Sequence, residues 1–509
     1  VTMFAAGATI QGAMAQTEPA TEQSRIDEII VTATKRATSL QDTALSVSAI
    51  SGADLSKLGI TDFGQILGAI PGATLIEAGP GDNRVSFRGV AVSPFARGNP
   101  TTSFYIDDFP LTLGGGDSFN EAIKLVDMAQ IEVLKGPQGT LYGQSALSGV
   151  MRYITNKPNT EAIEGGLDLT YEGVASGGEG YQSQGYVNIP LTDKLAVRAV
   201  LYDYDSPGFI DNLLTGTDDL NTEEVTGGRL ALRWDMSERA AFDLLYLNQS
   251  QRLGCCQGVL SQTASSTYTP VLTGIPTDIT PPDLDDPSFL SPIDTFTDHD
   301  FEVLNLKFGF NFDGFDLNLM GATKQRDYSR VTDAARFFGI YDGITMTPRE
   351  ITSKFDVETF EGRLVSTGDG PIEWIAGVWY EKEEGFANDL FTLLTPRTDL
   401  TIGTDGDVLV DNDSFAVKEE LSVYGEVGYR FTDQAKLTLG YRRADLELDS
   451  GQLTANGKFA GSAGNIGVDE STEEDVNTYK IHFEYRFNDD VLAYALASSG
   501  YRAGGWNRS

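Results

Sequence analysis

Leu421-Ser422-Val423-Tyr424-Gly425-Glu426-Val427-Gly428-Tyr429-Arg430-Phe431 decides the fold. On an extended chain, successive side chains point to opposite faces. Leu421, Val423, Val427, Tyr429 and Phe431 then share one apolar face. Ser422, Tyr424, Glu426, Gly428 and Arg430 share the other. Tyr479, Ile481, Phe483, Tyr485 and Phe487 alternate in the same way with Lys480, His482, Glu484 and Arg486. So do Leu306, Phe308, Phe310 and Phe312 with Lys307, Gly309 and Asn311. This period of two marks strands with one greasy face. A soluble sandwich alternates too, so the connections must decide.

Working outward from this run gives thirteen candidate strands: 166–174, 181–191, 195–205, 225–236, 240–251, 300–313, 315–330, 356–367, 372–386, 418–432, 435–449, 475–488 and 491–504. Tight turns such as Ser237-Glu238-Arg239, Asp313-Gly314 and Thr432-Asp433-Gln434 join alternate pairs. The intervening links are longer, at 206–224, 252–299, 331–355, 387–417 and 450–474; only 175–180 is short. Alternating short and long links are the mark of an outer-membrane barrel. Trp234, Phe310, Phe312, Phe315, Trp374, Tyr429, Phe431, Tyr485 and Phe487 gather beside the tight turns, as an aromatic girdle does at a membrane interface. Lipid offers no partner for backbone N–H and C=O groups, so such a sheet must close. Lys436, Arg442, Glu484 and Arg486 then belong to a polar lumen face.

Composition agrees with this reading and excludes others. Of 509 residues, 37 are Lys or Arg and 74 are Asp or Glu, a net charge of −37. No basic face is available for nucleic acid. Two Cys and two His are too few for a disulfide scaffold or a Cys/His zinc site. No spanning helix is expected after residue 15. The charge is uneven: residues 1–160 hold 11 basic and 15 acidic residues, a net of −4, and residues 161–509 hold 26 and 59, a net of −33. The first part also lacks the monotonous alternation. A helix-like stretch, Leu55 to Ile70, and extended pieces Arg84 to Val90, Ser103 to Phe109 and Gln130 to Leu134 read as a small α+β domain. Before it, Met3 to Ala15 is a short apolar run ending in Ala13-Met14-Ala15, a small-x-small pattern with a cut expected before Gln16. The expected organisation is therefore a signal-peptide remnant at 1–15, a periplasmic tail at 16–40, an α+β domain at 41–160 and a mostly β, antiparallel transmembrane part at 161–509.

Short motifs in the first part are more specific. Asp27-Glu28-Ile29-Ile30-Val31-Thr32-Ala33-Thr34-Lys35-Arg36 resembles the TonB box of TonB-dependent outer-membrane receptors. Phe87-Arg88-Gly89-Val90, then Tyr105-Ile106-Asp107-Asp108, resemble motifs of that family's plug domain. Ile131 to Gly143, with Lys135-Gly136-Pro137-Gln138-Gly139 at its centre, is similar to the plug's most recognisable segment. Ser148-Gly149-Val150 to Pro158 resembles its exit, and Ser499 to Asn507 a recurring barrel segment. The resemblance implies a plug inside a barrel of about twenty-two strands. With thirteen strands read here, about nine more are expected beyond Ser509.

Each motif also has a physical reading. The β-branched run Ile29 to Thr32, with Glu28 before it and Ala33 after it, sits in a polar tail and is expected to have no packed neighbours. It suits addition as a strand to a partner's sheet edge; the alternative is an edge strand of the plug itself. Gly136, Gly139 and Gly143 around Pro137 read as a tight turn, because the spacing fits neither phosphate-loop pattern. Arg88 is expected to reach from plug to barrel and to need a carboxylate there.

The long links are acidic. Asp211, Asp218, Asp219, Glu223 and Glu224 occupy 206–224, and Asp389, Asp399, Asp405, Asp407, Asp411 and Asp413 face Arg397 in 387–417. A mouth of this charge is expected to disfavour strongly anionic ligands. Asp278, Asp283, Asp285, Asp286, Asp294, Asp298 and Asp300 cluster without EF-hand spacing, so no metal site is assigned. Adjacent Cys255-Cys256 read as a strained vicinal disulfide before a metal pair. His299 and His482 read as polar lining. No catalytic constellation and no cofactor site emerges, so an enzyme is not expected. The resemblance implies active import of a scarce small-molecule ligand across the bacterial outer membrane. A ferric siderophore comes first, with cobalamin, haem, an oligosaccharide or an aromatic compound as alternatives. Its implied partners are a TonB-type energy-transducing protein of the inner membrane, outer-membrane lipid and lipopolysaccharide, with no nucleic acid. A passive porin is the weaker reading, since it needs neither plug nor box.

Overall fold

The computed structural model describes residues 6–9, 29–60, 63–77, 83–91, 99–114, 121–175, 177–212, 215–254, 288–289, 293–333, 348–368, 370–393, 407–456, 468–489 and 491–504. Ala13 to Ala15, Glu28, Cys255-Cys256, Asp278 to Asp286, Arg397, Asp399, Asp405 and Trp506-Asn507 lie outside the described residues.

One sheet dominates. Its strands are β1 (Ala6–Thr9), β2 (Glu164–Gly173), β3 (Glu179–Pro190), β4 (Leu195–Ser206), β5 (Glu223–Ser237), β6 (Ala240–Gly254), β7 (Phe296–Phe312), β8 (Phe315–Asp333), β9 (Pro348–Ser366), β10 (Ile372–Leu393), β11 (Asp407–Arg430), β12 (Ala435–Asn456), β13 (Val468–Asn488) and β14 (Val491–Ser498). They follow one another in chain order, each antiparallel to the next. All thirteen strands expected from alternation are present. The fourteenth, β1, falls in the run read as a signal remnant. It pairs with the edge of β2 that no other described strand occupies, where N–H and C=O groups accept an extended segment.

Two expectations change. The strands from β8 to β13 run for 19 to 24 residues, about twice the 9–11 residues that span a bilayer. Asp389, Asp407, Asp411 and Asp413, read as loop residues, therefore sit in strands that project beyond the membrane. Period-2 patterning fades there because no lipid enforces an apolar face. The last strand ends at Ser498 and not at Gly504. Residues 499–504 leave the sheet for the inner domain, where Ser145 N–H donates to the Tyr501 carbonyl at 3.1 Å and Asn99 Nδ2 to the Ala503 carbonyl at 3.0 Å.

The two faces of the sheet differ as the alternation requires. Leu421, Val423 and Val427 are each about half exposed at 51–52%, whereas Glu420, Ser422 and Glu426 between them are buried. Aromatic pairs flank the short turns: Phe312 with Phe315 at 4.9 Å, Tyr429 with Phe431 at 4.7 Å and Tyr485 with Phe487 at 4.7 Å. Among the described residues no helix is long and apolar enough to cross a membrane.

The buried face encloses the N-terminal domain. Its five-stranded sheet runs Val47–Ser51, Met128–Lys135, Gly149–Thr155, Thr102–Ile106, Phe109–Pro110, with one parallel pair, Gly149–Thr155 beside Thr102–Ile106. The single helix read over Leu55 to Ile70 is two, Gly52–Leu58 and Phe63–Ala69. Ser51 caps the first by accepting from Asp54 N–H, and Gly59, at φ +64, ends it in the left-handed region that glycine favours. Phe87, Phe104, Ile106, Phe109, Ile131, Val150 and Tyr153 form its core, which continues into Phe301, Val303, Ile375 and Trp379 of the enclosing sheet.

Candidate functional site at the base of the inner domain

The segment beginning at Ile29 is packed, contrary to the expectation of an unpartnered tail. Ile30–Val31 pairs antiparallel with Thr38–Ser39. Lys35 stands in the left-handed region at φ 57, and its N–H donates to the Thr32 carbonyl at 2.9 Å to close the turn. This hairpin satisfies its own backbone groups and frees alternate side chains to choose sides. Val31 and Ala33 are fully buried in the domain core, and Thr32 turns to the polar side.

Three side chains hold that strip. Thr32 N–H donates to Glu132 Oε1 at 2.7 Å. Arg152 Nη1 donates both to Thr32 Oγ1 at 2.7 Å and to Glu132 Oε2 at 2.6 Å. The Tyr142 hydroxyl donates to the Ala33 carbonyl at 2.6 Å. Lys35 and Arg36, beyond Thr34, reach the wall of the large sheet. Lys35 Nζ lies 2.8 Å from Glu361 Oε1. The Arg36 guanidinium donates to the Ser366 carbonyl at 2.7 Å, to Ser366 Oγ at 2.8 Å and to the Trp374 carbonyl at 2.6 Å. Burial, opposed by the Glu361 charge, draws the Lys35 ammonium down to about 8.

Asp107 and Asp108 work on opposite sides. Asp107, at φ 53, accepts from Thr155 N–H at 3.0 Å and pairs with Lys157 at 2.5 Å, so it stays within the inner domain. Asp108 faces the wall: Lys307 is at 2.5 Å and Arg363 at 3.4 Å, with Arg152 of its own domain at 3.5 Å. Burial opposes its ionisation, yet Lys307, Arg363 and Arg152 hold its carboxyl well below the usual carboxylate range. Arg363 also donates to Glu361 at 2.8 Å. A chain of charges thus runs from Glu132 through Arg152, Asp108, Arg363 and Glu361 to Lys35. A cavity of ≈ 300 Å³ opens beside it, between Lys35, Asp108 and Arg152 and the wall residues Asn305, Lys307 and Arg363.

The segment Lys135 to Gly143 lies on the opposite flank. Lys135 Nζ donates to Ser48 Oγ at 3.0 Å. Gly136, at φ 102, and Gly143, at φ 70, occupy conformations that other residues adopt at a cost. Pro137 offers its carbonyl to Ser498 Oγ at 2.9 Å. Gly139 passes so close to residues 499–500 that a Cβ would stand 2.8 Å from the Ser499 carbonyl oxygen. Thr140 donates to Glu426 at 2.9 Å, and Lys480 holds the same carboxylate at 2.9 Å.

Arg88 departs from expectation. It is exposed, at φ 55 and followed by Gly89 at φ 76, and its Nη1 faces Gly136. No ion pair joins it to a carboxylate among the described residues. The sequence reading placed the inner-domain cation at Arg88, whereas Lys35, Arg36 and Arg152 are the cations that clasp the segment. It also passed over Tyr142, Glu132, Glu361 and Arg363. Glu361 and Arg363 do carry a signal, two charges at i and i+2 on a strand face that the alternation assigns to the lumen.

Comparison with known proteins accounts for this arrangement. Residues 39–150 match the TonB-dependent receptor plug domain, and residues 257–508 the TonB-dependent receptor-like β-barrel. The pesticin receptor of Yersinia pestis is 23% identical over 501 residues, covering 96% of this chain and 65% of that protein. The crystal structure of the ferric yersiniabactin uptake receptor FyuA from Yersinia pestis superposes with a TM-score of 0.75 at 19% identity, over 91% of this chain and 66% of that one. The open form of the ferric-catecholate import receptor Fiu from E. coli K12 gives 0.67 at 16% identity, over 90% of this chain and 70% of that one. The chain thus spans less than two thirds of the first two relatives. Plug and barrel matches in the expected order, on an inner domain ringed by antiparallel strands, show that this chain belongs to the TonB-dependent receptors, a family of bacterial outer-membrane receptors and not of enzymes.

Proposed function

We propose that this chain serves TonB-dependent active import of a scarce ligand, a ferric siderophore, across the outer membrane. The observation that carries the reading is the clasp at Ile29 to Arg36. A segment that resembles a TonB box is folded against the plug by Tyr142, Arg152 and Glu132, and pinned to the barrel wall by Lys35 and Arg36. Such a segment has two available states, clasped and released, and a ligand that favours the plug arrangement of the released state shifts the population. A TonB-type inner-membrane protein then takes Glu28 to Ala33 as an added strand and pulls. The choice of an iron chelate rests on the solved relatives, a ferric yersiniabactin uptake receptor and a ferric-catecholate import receptor. The apolar barrel face meets lipid, and rim carboxylates share divalent cations with lipopolysaccharide phosphates.

The test is uptake of iron-55, supplied as a panel of ferric chelates, in a receptor-deficient host expressing the protein with and without Ile29 to Ala33. Uptake by the intact protein alone is expected. Uptake that survives the deletion would reject energised transport, and free sugar flux through the intact protein in a liposome-swelling assay would revive a passive pore.

A further inference from the structure

Eleven Lys and Arg residues among the described residues are buried below one-tenth exposure as whole residues: Lys124, Arg152, Arg198, Arg229, Lys324, Arg326, Arg330, Arg363, Lys418, Arg442 and Lys480. Ten of them have a carboxylate within 4 Å. Arg330 does not. It is 5% exposed, and its Nη2 is buried without a hydrogen-bond partner. A guanidinium cannot shed its charge as a lysine can. An uncompensated buried cation of this kind is costly, and its neighbours show that the fold otherwise avoids one.

Its position says what the missing partner is. The even-numbered residues of β8 face the lumen, because Lys324 and Arg326 both meet Glu121 of the plug, at 2.6 and 3.7 Å. Arg330 lies on the same face, four residues nearer the end that carries the long links. That is about 13 Å further along the strand. Plug Glu121, with His299 Nε2 at 2.9 Å from its other oxygen, occupies the lower tier. On β9, the strand beside it, Arg349 is held at 2.8 and 2.6 Å by Asp389. Directly opposite Arg330 is Thr297 of β7, and two residues before it Thr295 Oγ1 is buried without a partner as well. A planar donor fork and, at the start of the neighbouring strand, a buried hydroxyl without a partner thus lie beyond Glu121 of the plug. A carboxylate fits such a fork through two parallel hydrogen bonds.

We propose that Arg330, assisted by Thr295, is the anion-recognition site of the outer lumen, and that the imported ligand carries a carboxylate that docks there. This rests on the import reading above. The acidic rim repels a polyanion, and one unneutralised arginine accepts a single negative group, so the ligand class is a chelate of low negative charge with one free carboxylate.

The full chain, purified in detergent, provides two separable measurements. In the ligand-free protein, Arg330→Met is expected to leave the thermal midpoint unchanged or raised, since it removes an unpaired buried charge. Arg442→Met, which strands Glu420, is expected to lower it. A fall in R330M equal to that in R442M would show that Arg330 already has a protein partner, and would overturn the proposal. In binding, iron-55 chelates with one free carboxylate and their methyl esters are compared. The carboxylated member is expected to bind the intact protein, and R330M to weaken it by about 10- to 100-fold while sparing the ester, as loss of a charged hydrogen-bonded contact does. Arg330→Lys is expected to recover part of the affinity. Equal binding of acid and ester, or equal loss of both in R330M, would overturn the proposal and leave import standing. Absence of binding or uptake of every chelate by the intact protein would remove the import reading and this assignment with it.

Discussion

The Lys35 ammonium rests 2.8 Å from Glu361, and each side chain is almost wholly buried. The pair joins the residue that closes the box hairpin to the barrel wall. Glu361 is not Lys35's alone: Arg363 donates to it, and so does the Tyr424 hydroxyl. Its removal should therefore cost more than removal of Lys35. Glu361→Gln leaves Lys35 without a carboxylate, which costs about 3–5 kcal/mol in a buried site. Lys35→Met leaves Glu361 with two donors and costs less. The release of the segment is read from a thiol at Val31→Cys, a position with no exposure in the clasped state. Maleimide labelling is expected to accelerate in the order E361Q above K35M above the parent. An E361Q rate equal to the parent's would show that the Lys35–Glu361 pair does not hold the segment.

The barrel was legible in the sequence and the clasp was not, and the reason is physical. Lipid imposes one rule on every strand, so Leu421, Val423 and Val427 declare their face without reference to anything distant. Arg152 and Glu132 obey no such local rule. Each is buried on a plug strand by partners 20 to 120 residues away, and an isolated sequence shows only a charge in an extended run. The plug's glycines fall between these cases. Gly136 and Gly143 carry the positive φ that their turn suggests, but the contact that makes Gly139 necessary comes from Ser499 and Gly500, more than three hundred residues later. The same holds for the box: its β-branched residues gave the extended backbone, while Tyr142 and Lys35 decided that it lies against this chain's own plug.

Gly139 gives the second prediction. A methyl group there would stand 2.8 Å from the Ser499 carbonyl oxygen and 2.9 Å from Gly500 Cα. Both are backbone atoms, so neither can swing aside. Gly139→Ala is expected to destabilise the plug by about 1–3 kcal/mol, the usual cost of overpacking, and to lower the thermal midpoint. At Gly68 an added Cβ meets nothing within 4 Å, and Gly68→Ala, in the Phe63–Ala69 helix, is expected to be neutral or slightly stabilising. Equal midpoints for the two variants would show that the seam with residues 499–500 does not form in solution.

The third prediction concerns the two faces of β11. Val423 points outward and is 51% exposed, and Ser422 beside it is buried on the lumen side. A lysine facing hydrocarbon near the membrane centre costs about 2–4 kcal/mol. Val423→Lys is therefore expected to reduce assembled receptor in outer-membrane fractions, measured as heat-modifiable mobility on gels, whereas Val423→Leu should assemble as the parent does. Normal assembly of V423K would place this face against protein or water and not lipid.

The last prediction is a pH profile. Burial works against ionisation of Glu121, but Lys324, His299 and Arg326 around it hold its carboxyl well below the usual range. Asp108 is held down in the same way by Lys307, Arg363 and Arg152, and Asp107 by Lys157 and Thr155. Each of these plug carboxyls takes a proton less readily in the folded protein than in the unfolded chain. Each therefore contributes stability in full above the ordinary carboxylate value of about 4, and loses it as pH falls through the lower folded values. Plug-to-barrel contacts should stay intact from pH 7 to pH 5 and weaken only below about 4. The V31C labelling rate and the thermal midpoint of the purified receptor, followed across that range, are expected to remain flat to pH 5 and to change together in stronger acid. A midpoint that drops between pH 7 and pH 5 would mean that groups other than these carboxylates hold the plug in place.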